Sequence, residues 1–203
     1  MAVELHRGDL PEGLTFGDSV AIDTETMGLD VRRDRLCLVQ ISGDGEDIHL
    51  VQFAPGVYDA PRLAALLTDP GVTKIFHFAR FDLVTLRRHL GIVVAPVYCT
   101  KIAAKLARTF TDRHGLKDLC RQLLGVDLSK QQQTSDWGAD ALTPEQIDYA
   151  ASDVRYLHRL RERLDDLLGR EGRRELAAAC FAFLPQRAAL DLLGWDDPDV
   201  FAH

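Results

Sequence analysis

Val20-Ala21-Ile22-Asp23-Thr24-Glu25-Thr26-Met27-Gly28-Leu29 begins as an apolar strand and then places two carboxylates at positions i and i+2. Side chains alternate faces along a strand, so Asp23 and Glu25 point the same way. At about 4–5 Å, with an effective dielectric near 20, their repulsion is on the order of 3–4 kcal/mol. Such a pair persists when a cation sits between the acids, when one takes a proton, or when both are solvated on an exposed edge. Gly28 lets the chain turn sharply and leaves Leu29 at the lip of whatever site the acids form.

Outward from this strand, Arg35 to Ser42 reads as a second strand and Asp47 to Gln52 as a third, joined by a Gly43-Asp44-Gly45 turn with φ > 0 residues. Together they predict an antiparallel meander. Pro61 to Leu67 is a short helix, Thr73 to Phe78 a fourth strand, and Phe81 to Leu90 the helix it feeds. Ile92 to Tyr98 reads as a fifth strand, followed by a helix over Thr100 to Thr109. Strand-helix-strand alternation after a meander implies an α/β fold with a mixed five-stranded sheet flanked by helices.

From Gly115 onward helices dominate. Leu116 to Leu124 is one, closed by Gly125. Thr143 as N-cap, Pro144 at N1 and Gln146 at N3 start another. Its apolar stripe (Ile147, Ala150, Ala151, Val154, Leu157, Leu160, Leu164) predicts a helix reaching about Leu168. In a last helical region, Arg173 to Leu193, Pro185 is expected to break or kink the helix. With no repeat, linker or composition shift, residues 1–203 are expected to form a single domain with a helical C-terminal extension.

Composition narrows the function classes. The 203 residues carry a net charge of −7, which argues against a protein that coats nucleic acid non-specifically through a basic field. The four cysteines (Cys37, Cys99, Cys120, Cys180) lack zinc-ligand spacing and read as buried thiols of a reducing compartment. No basic-then-apolar leader and no apolar run of membrane-spanning length is seen, so a cytoplasmic protein without membrane contact is expected.

Two further acidic stretches join the first. Asp82 opens the helix after the fourth strand, where an acid also suits the helix dipole. Tyr149 and Asp153 are i and i+4 on one helical face, and Asp153 borders the apolar stripe, where an acid is costly unless paired or metal-bound. Four carboxylates gathered in one pocket would carry about −4 and could not all stay ionised unaided. Two divalent cations balance that charge, and oxygen-only ligands favour Mg²⁺ or Mn²⁺ over zinc. Two such ions roughly 3.5–4 Å apart suit phosphodiester hydrolysis.

Asp23-x-Glu25, Asp82 and Tyr149-x-x-x-Asp153 resemble, in order and element type, the three motifs of the DEDD superfamily of 3′–5′ exonucleases in its tyrosine-bearing, RNase D-like branch. The resemblance implies a ribonuclease H-like fold, two metal ions held by the four acids, and a tyrosine that orients the attacking water. Thr111-Asp112-Arg113-His114-Gly115-Leu116-Lys117, Ser129-Lys130-Gln131-Gln132-Gln133, Ser135-Asp136-Trp137 and Leu190-Asp191-Leu192-Leu193-Gly194-Trp195 are similar to the nanoRNase C (NrnC) oligoribonucleases of alphaproteobacteria. That family implies very short RNA as substrate, a preference for 5′-phosphorylated dinucleotides, and a ring-shaped homo-octamer.

By the same resemblance Leu29 would wedge between two bases and His77 would hydrogen-bond the 3′ ribose. Each also reads as a core residue. Recognition of a 5′-phosphate calls for Arg or Lys, and Arg108, Arg113, Lys117 and Lys130 are candidates, with His114 beside them. Each of these doubles as an ordinary surface charge. Two competing functions stand alongside: an RNase D-like enzyme trimming longer RNA or DNA ends, and a non-catalytic oligonucleotide-binding module.

Overall fold

The structure is a computed structural model and describes residues 2–44, 47–129 and 131–202. Its centre is a sheet of β1 (Val3–Arg7), β2 (Ser19–Thr26), β3 (Leu36–Ser42), β4 (Ile48–Gln52), β5 (Thr73–Phe76) and β6 (Val97–Cys99), in the order β1-β4-β3-β2-β5-β6. The meander β2-β3-β4 is antiparallel, whereas β1 joins β4 and β5 and β6 extend β2 in parallel. The expected mixed sheet is present, with six strands rather than five. The strand missed is β1, an edge strand whose Val-Glu-Leu-His-Arg sequence is half exposed and has no continuous apolar run.

Helices α1 (Pro61–Thr68), α2 (Ala79–Leu90), α3 (Thr100–Ala107), α4 (Leu116–Leu119), α5 (Pro144–Arg155), α6 (Leu157–Arg170) and α7 (Arg174–Leu192) flank the sheet. Strand β2 separates its two faces. Asp23 and Glu25 look toward α5, while Thr24 between them donates a hydrogen bond to Asp82 of α2 at 2.7 Å. Buried apolar residues from Leu10 to Ala188 form the core against both faces.

Several boundaries differ from the sequence reading. The fourth strand stops at Phe76, because Phe78 takes a left-handed conformation (φ 68°) that starts α2 two residues early. The fifth strand shrinks to Val97–Cys99: Pro96 has no N–H for a ladder, and the Ala95 carbonyl is taken by the buried Lys74 ammonium at 2.6 Å. The capping box predicted at Thr143 forms, with Gln146 N–H to Thr143 Oγ1 at 3.2 Å and Thr143 N–H to Gln146 Oε1 at 2.9 Å. Tyr156 divides the long helix into α5 and α6, yet Val154, Leu157 and Leu160 stay buried, so the apolar stripe survives the break.

The helix at Leu116 widens after Leu119 into a π-helical turn over Cys120–Leu124, which Gly125 (φ 70°) closes as expected. Pro185 does not break α7, which runs through it. Packing against α2 holds the helix together there, and Arg87 donates to the Pro185 carbonyl at 3.4 Å. In the β3–β4 turn, Gly43 has ordinary φ, and Gly45 lies outside the described residues. Gly28 also needs no positive φ. A Cβ there would stand 2.3 Å from Asp34 Oδ2, so close approach is what demands the glycine.

Candidate active site

The C-terminal half of β2 and the middle of α5 build the site. Carboxylate oxygens of Asp23, Glu25 and Asp153 lie within 4.8 Å of one another. Ala150 and Ala151, both fully buried, let α5 come close enough for this. Tyr149 stands one turn before Asp153, close enough that each side chain shifts the pKa of the other. Asp82, 3% exposed in the first turn of α2, is the fourth acid. It stands slightly apart from the other three, held by Thr24, and is still close enough to raise the pKa of Asp23.

Electrostatics follow from this crowding. Burial first, then Asp82, Asp153 and Glu25, push Asp23 well above the usual carboxylate range. Burial, Asp153 and Asp82 do the same to Glu25. Burial raises Asp82 to about 7 against the hydrogen bond from Thr24, and Asp153 to about 7 against the nearby Tyr149 hydroxyl. The Tyr149 phenol is itself pushed up, by burial and then by Asp153, so at neutral pH it keeps its proton and acts as a donor. Among the described residues no Lys or Arg forms an ion pair with any of the four acids. An oxygen-only donor set, with Asp82 buried, the other three acids half-buried and no counter-charge of its own, fits hard divalent cations.

Two supporting residues escaped the sequence reading. Gln40, fully buried on β3 and paired in register with Asp23, donates to Asp23 Oδ2 at 3.3 Å. A lone glutamine inside Leu-Cys-Leu-Val-Gln-Ile was the available signal, since a buried amide must find a partner. Thr24 was hidden because the alternation that aligns Asp23 with Glu25 sends it to the other face. Trp137, 3% exposed, packs on Tyr149 with ring centroids 6.0 Å apart. Its loop is fastened by Gln146 to Ser135 Oγ and the Asp136 carbonyl, by Arg35 to the Gly138 carbonyl, and by Gln52 to the Ala139 carbonyl.

The candidate substrate residues fall in different settings. Leu29, just past β2, is 85% exposed, which excludes a core role. Thr100 Oγ1 donates to the Phe76 carbonyl, so the His77 Nδ1 at 2.8 Å must donate to Thr100, leaving Nε2 as an acceptor. Burial and then Lys101 lower the His77 pKa to about 3, so the ring stays neutral. Arg108 is 3% exposed and spends its guanidinium on Gln122 Oε1 and the Arg113 carbonyl. His114 is buried nearby with Nδ1 lacking a partner among the described residues, Arg113 is exposed, and Lys117 is half-buried. None of Arg108, Arg113 and Lys117 hydrogen-bonds the acids among the described residues. Lys130 lies outside the described residues.

A mixed sheet of this order, with acids from its first meander strand meeting acids from two helices, defines a 3′–5′ exonuclease fold. Comparison with known proteins agrees. Residues 9–169 match the 3′–5′ exonuclease domain family. Brucella melitensis NrnC bound to pGG is 53% identical with a TM-score of 0.97, covering 100% of this chain and 99% of that one. Brucella melitensis NrnC with bound Mg²⁺ is 52% identical with a TM-score of 0.95 over the full length of both. Ribonuclease D of Gluconacetobacter diazotrophicus is 39% identical over 169 residues, 83% of this chain and 42% of that protein. The chain spans under half the length of the ribonuclease D relatives it matches. It belongs to the 3′–5′ exonuclease family, among RNase D-like proteins of the NrnC kind.

Proposed function

We propose that this chain is a divalent-metal-dependent 3′–5′ exoribonuclease acting on very short RNA, above all 5′-phosphorylated dinucleotides, and releasing mononucleotides. The observation that carries the reading is the convergence of Asp23, Glu25 and Asp153 within 4.8 Å, with Asp82 and Tyr149 beside them and no described cation paired to any. Brucella melitensis NrnC has been solved bound to pGG and with bound Mg²⁺, which supports both the size of the substrate and the class of ion.

Asp23, Glu25, Asp82 and Asp153 would hold two Mg²⁺ or Mn²⁺ ions, with Gln40 orienting Asp23 and Thr24 orienting Asp82. Bound there, the ions supply Lewis acidity and charge neutralisation for in-line attack at phosphorus. Tyr149, kept protonated, orients the attacking water by hydrogen bonding and does not remove its proton. Water oxygen bonds to phosphorus as the bond to the 3′ oxygen breaks; the attacking water releases a proton to solvent, the leaving 3′ oxygen takes one up from solvent, and the last nucleotide leaves with its 5′-phosphate. His77 Nε2 accepts from a ribose hydroxyl, and Leu29 supplies an apolar edge against a base. Arg113 and Lys117 are the accessible cations for the 5′-phosphate, with Lys130 a further candidate, while the contribution of Arg108 is to hold Arg113 in place.

A single domain, a cytoplasmic location and a homo-octamer complete the reading. Exposed Phe183, Leu193, Trp195 and Phe201 offer apolar surface for assembly, and no helix among the described residues is long and apolar enough to cross a membrane. The test is a length series of RNA from two to ten nucleotides, with and without a 5′-phosphate, in Mg²⁺, Mn²⁺ and EDTA, with products separated by chromatography. Fastest turnover is expected for the phosphorylated dinucleotide and none in EDTA. Faster cleavage of the longer strands would instead make the chain a general end-trimming enzyme, and an unshifted dinucleotide in Mn²⁺ would make it a binding module.

A further inference from the structure

Glu4 and His6 sit two positions apart on the edge strand β1, so their side chains share a face. The parallel register sets His49 of β4 opposite Glu4, on that same face. Three donor atoms converge there. His6 Nε2 and His49 Nδ1 are 3.0 Å apart, and Glu4 Oε2 lies 3.9 Å from the first and 3.8 Å from the second. A point equidistant from atoms so separated lies about 2.1 Å from each, which is the length of a zinc–imidazole or zinc–carboxylate bond.

We propose that Glu4, His6 and His49 form a second metal site, one that takes zinc and fastens the edge strand β1 to β4. A hydrogen bond between the two rings explains their 3.0 Å separation alone. It does not explain a carboxylate oxygen almost equidistant from both nitrogens. Rings stacked at 5.3 Å, with Phe16 set edge-on to His49 at 5.9 Å, hold the imidazoles in place. Two imidazoles and one carboxylate suit zinc, while Mg²⁺ prefers an all-oxygen shell such as the acids of β2 and α5 provide. Glu4 is exposed, so the fourth coordination position opens to solvent.

The site is separate from those acids. Asp23 pairs with Gln40, Gln40 with Leu50, and Leu50 with Leu5, so the face of Asp23 is the face of Leu5 and Leu50. Glu4, His6 and His49 are the alternate residues and lie on the opposite face, His49 two strands and Glu4 and His6 three strands away from β2. A metal there would add a side-chain clamp at an edge where β1 is otherwise held by its backbone ladder, the partly buried Val3 and the hydrogen bond from Arg7 to the Asp140 carbonyl.

The experiment loads the full chain with one equivalent of Zn²⁺ in excess Mg²⁺, measures retained zinc, and records zinc K-edge X-ray absorption. One zinc per chain with imidazole scattering is expected, together with a higher Tm than in Mg²⁺ alone. Loss of a direct ligand should weaken zinc binding at least about tenfold, the lower bound for losing mere outer-shell support. Glu4→Ala and His6→Gln both test this, and Glu4 is exposed enough that its variant keeps the fold. Zinc lost to the Mg²⁺ buffer, zinc bound by oxygen alone, or a Glu4→Ala affinity within tenfold of wild type would each overturn the site.

Discussion

Asp153 and Asp191 are both carboxylates on helices, one half-buried and the other buried, and their surroundings are opposites. Asp191 is 3% exposed and receives Arg80 through Nε at 2.7 Å and Nη2 at 2.8 Å, with Arg187 Nη2 at 3.0 Å. Asp153 faces Asp23, Glu25 and Tyr149, with no cation among the described residues. Lys74 makes the same point with the other sign, since three backbone carbonyls at 2.6–2.7 Å meet its buried ammonium. At Asp191 and Lys74 the fold satisfies buried charges that serve only the fold. Where charge is left over, it is held ready for something that is not part of the chain.

The contrast is sharpest under substitution. Asp153→Asn removes a ligand whose ions supply several kcal/mol of transition-state stabilisation, so turnover of a dinucleotide should fall on the order of a thousandfold. The same change removes a repelling charge, so in EDTA the variant should melt above wild type. Retention of more than a few per cent of activity would rule Asp153 out of the chemistry. Asp191→Asn should do the reverse. Leaving Arg80 without its carboxylate and Arg187 with Asp199 alone should cost about 3 kcal/mol of stability in a denaturant titration, with kcat nearly unchanged in the surviving folded enzyme.

Metal and pH probe the same difference without mutation. Asp82 and Asp153 titrate near 7 in the folded chain and near 4 once unfolded, so the folded state holds the extra protons between those values. Their contribution to stability is fully present below about 4 and is lost as pH rises through about 7. In EDTA, Tm should therefore fall across that window. Saturating Mg²⁺ competes with protons for the same oxygens, so the slope should flatten or reverse, and Tm at neutral pH should rise. At a concentration about 100 times its Kd the ion adds about 2.7 kcal/mol. Parallel pH profiles with and without Mg²⁺ would show that these acids are not where the ion binds.

How much of this was legible in the sequence depends on whether a feature is local. Alternation along β2 aligned Asp23 with Glu25, the i, i+4 rule aligned Tyr149 with Asp153, and the Thr143–Gln146 box started α5 where expected. All three follow from a few consecutive residues. What stayed hidden was long-range. The partnership of Gln40 with Asp23 needs the β2–β3 register, and that of Thr24 with Asp82 needs α2 packed on the far face. Strand β1 is a strand only because β4 offers it an edge, and α7 carries Pro185 only because α2 braces it. Arg108 shows the limit from the other side: as a sequence symbol it suits a phosphate, and only packing reveals its guanidinium committed to Gln122.

Leu29 carries the smallest effect and extends the comparison to apolar groups. At 85% exposure it is as unpartnered among leucines as Asp153 is among carboxylates, whereas Leu36 and Leu38, a few residues on, are fully buried. Removing a side chain this exposed should leave stability within about 0.5 kcal/mol. If a substrate base covers it, Leu29→Ala forfeits part of the 1.5–3 kcal/mol that full burial of a leucine is worth, or about 1 kcal/mol. That corresponds to roughly a fivefold rise in the KM for a dinucleotide with kcat held. Equal KM values for wild type and Leu29→Ala would place the base elsewhere and return Leu29 to the ordinary exposed surface.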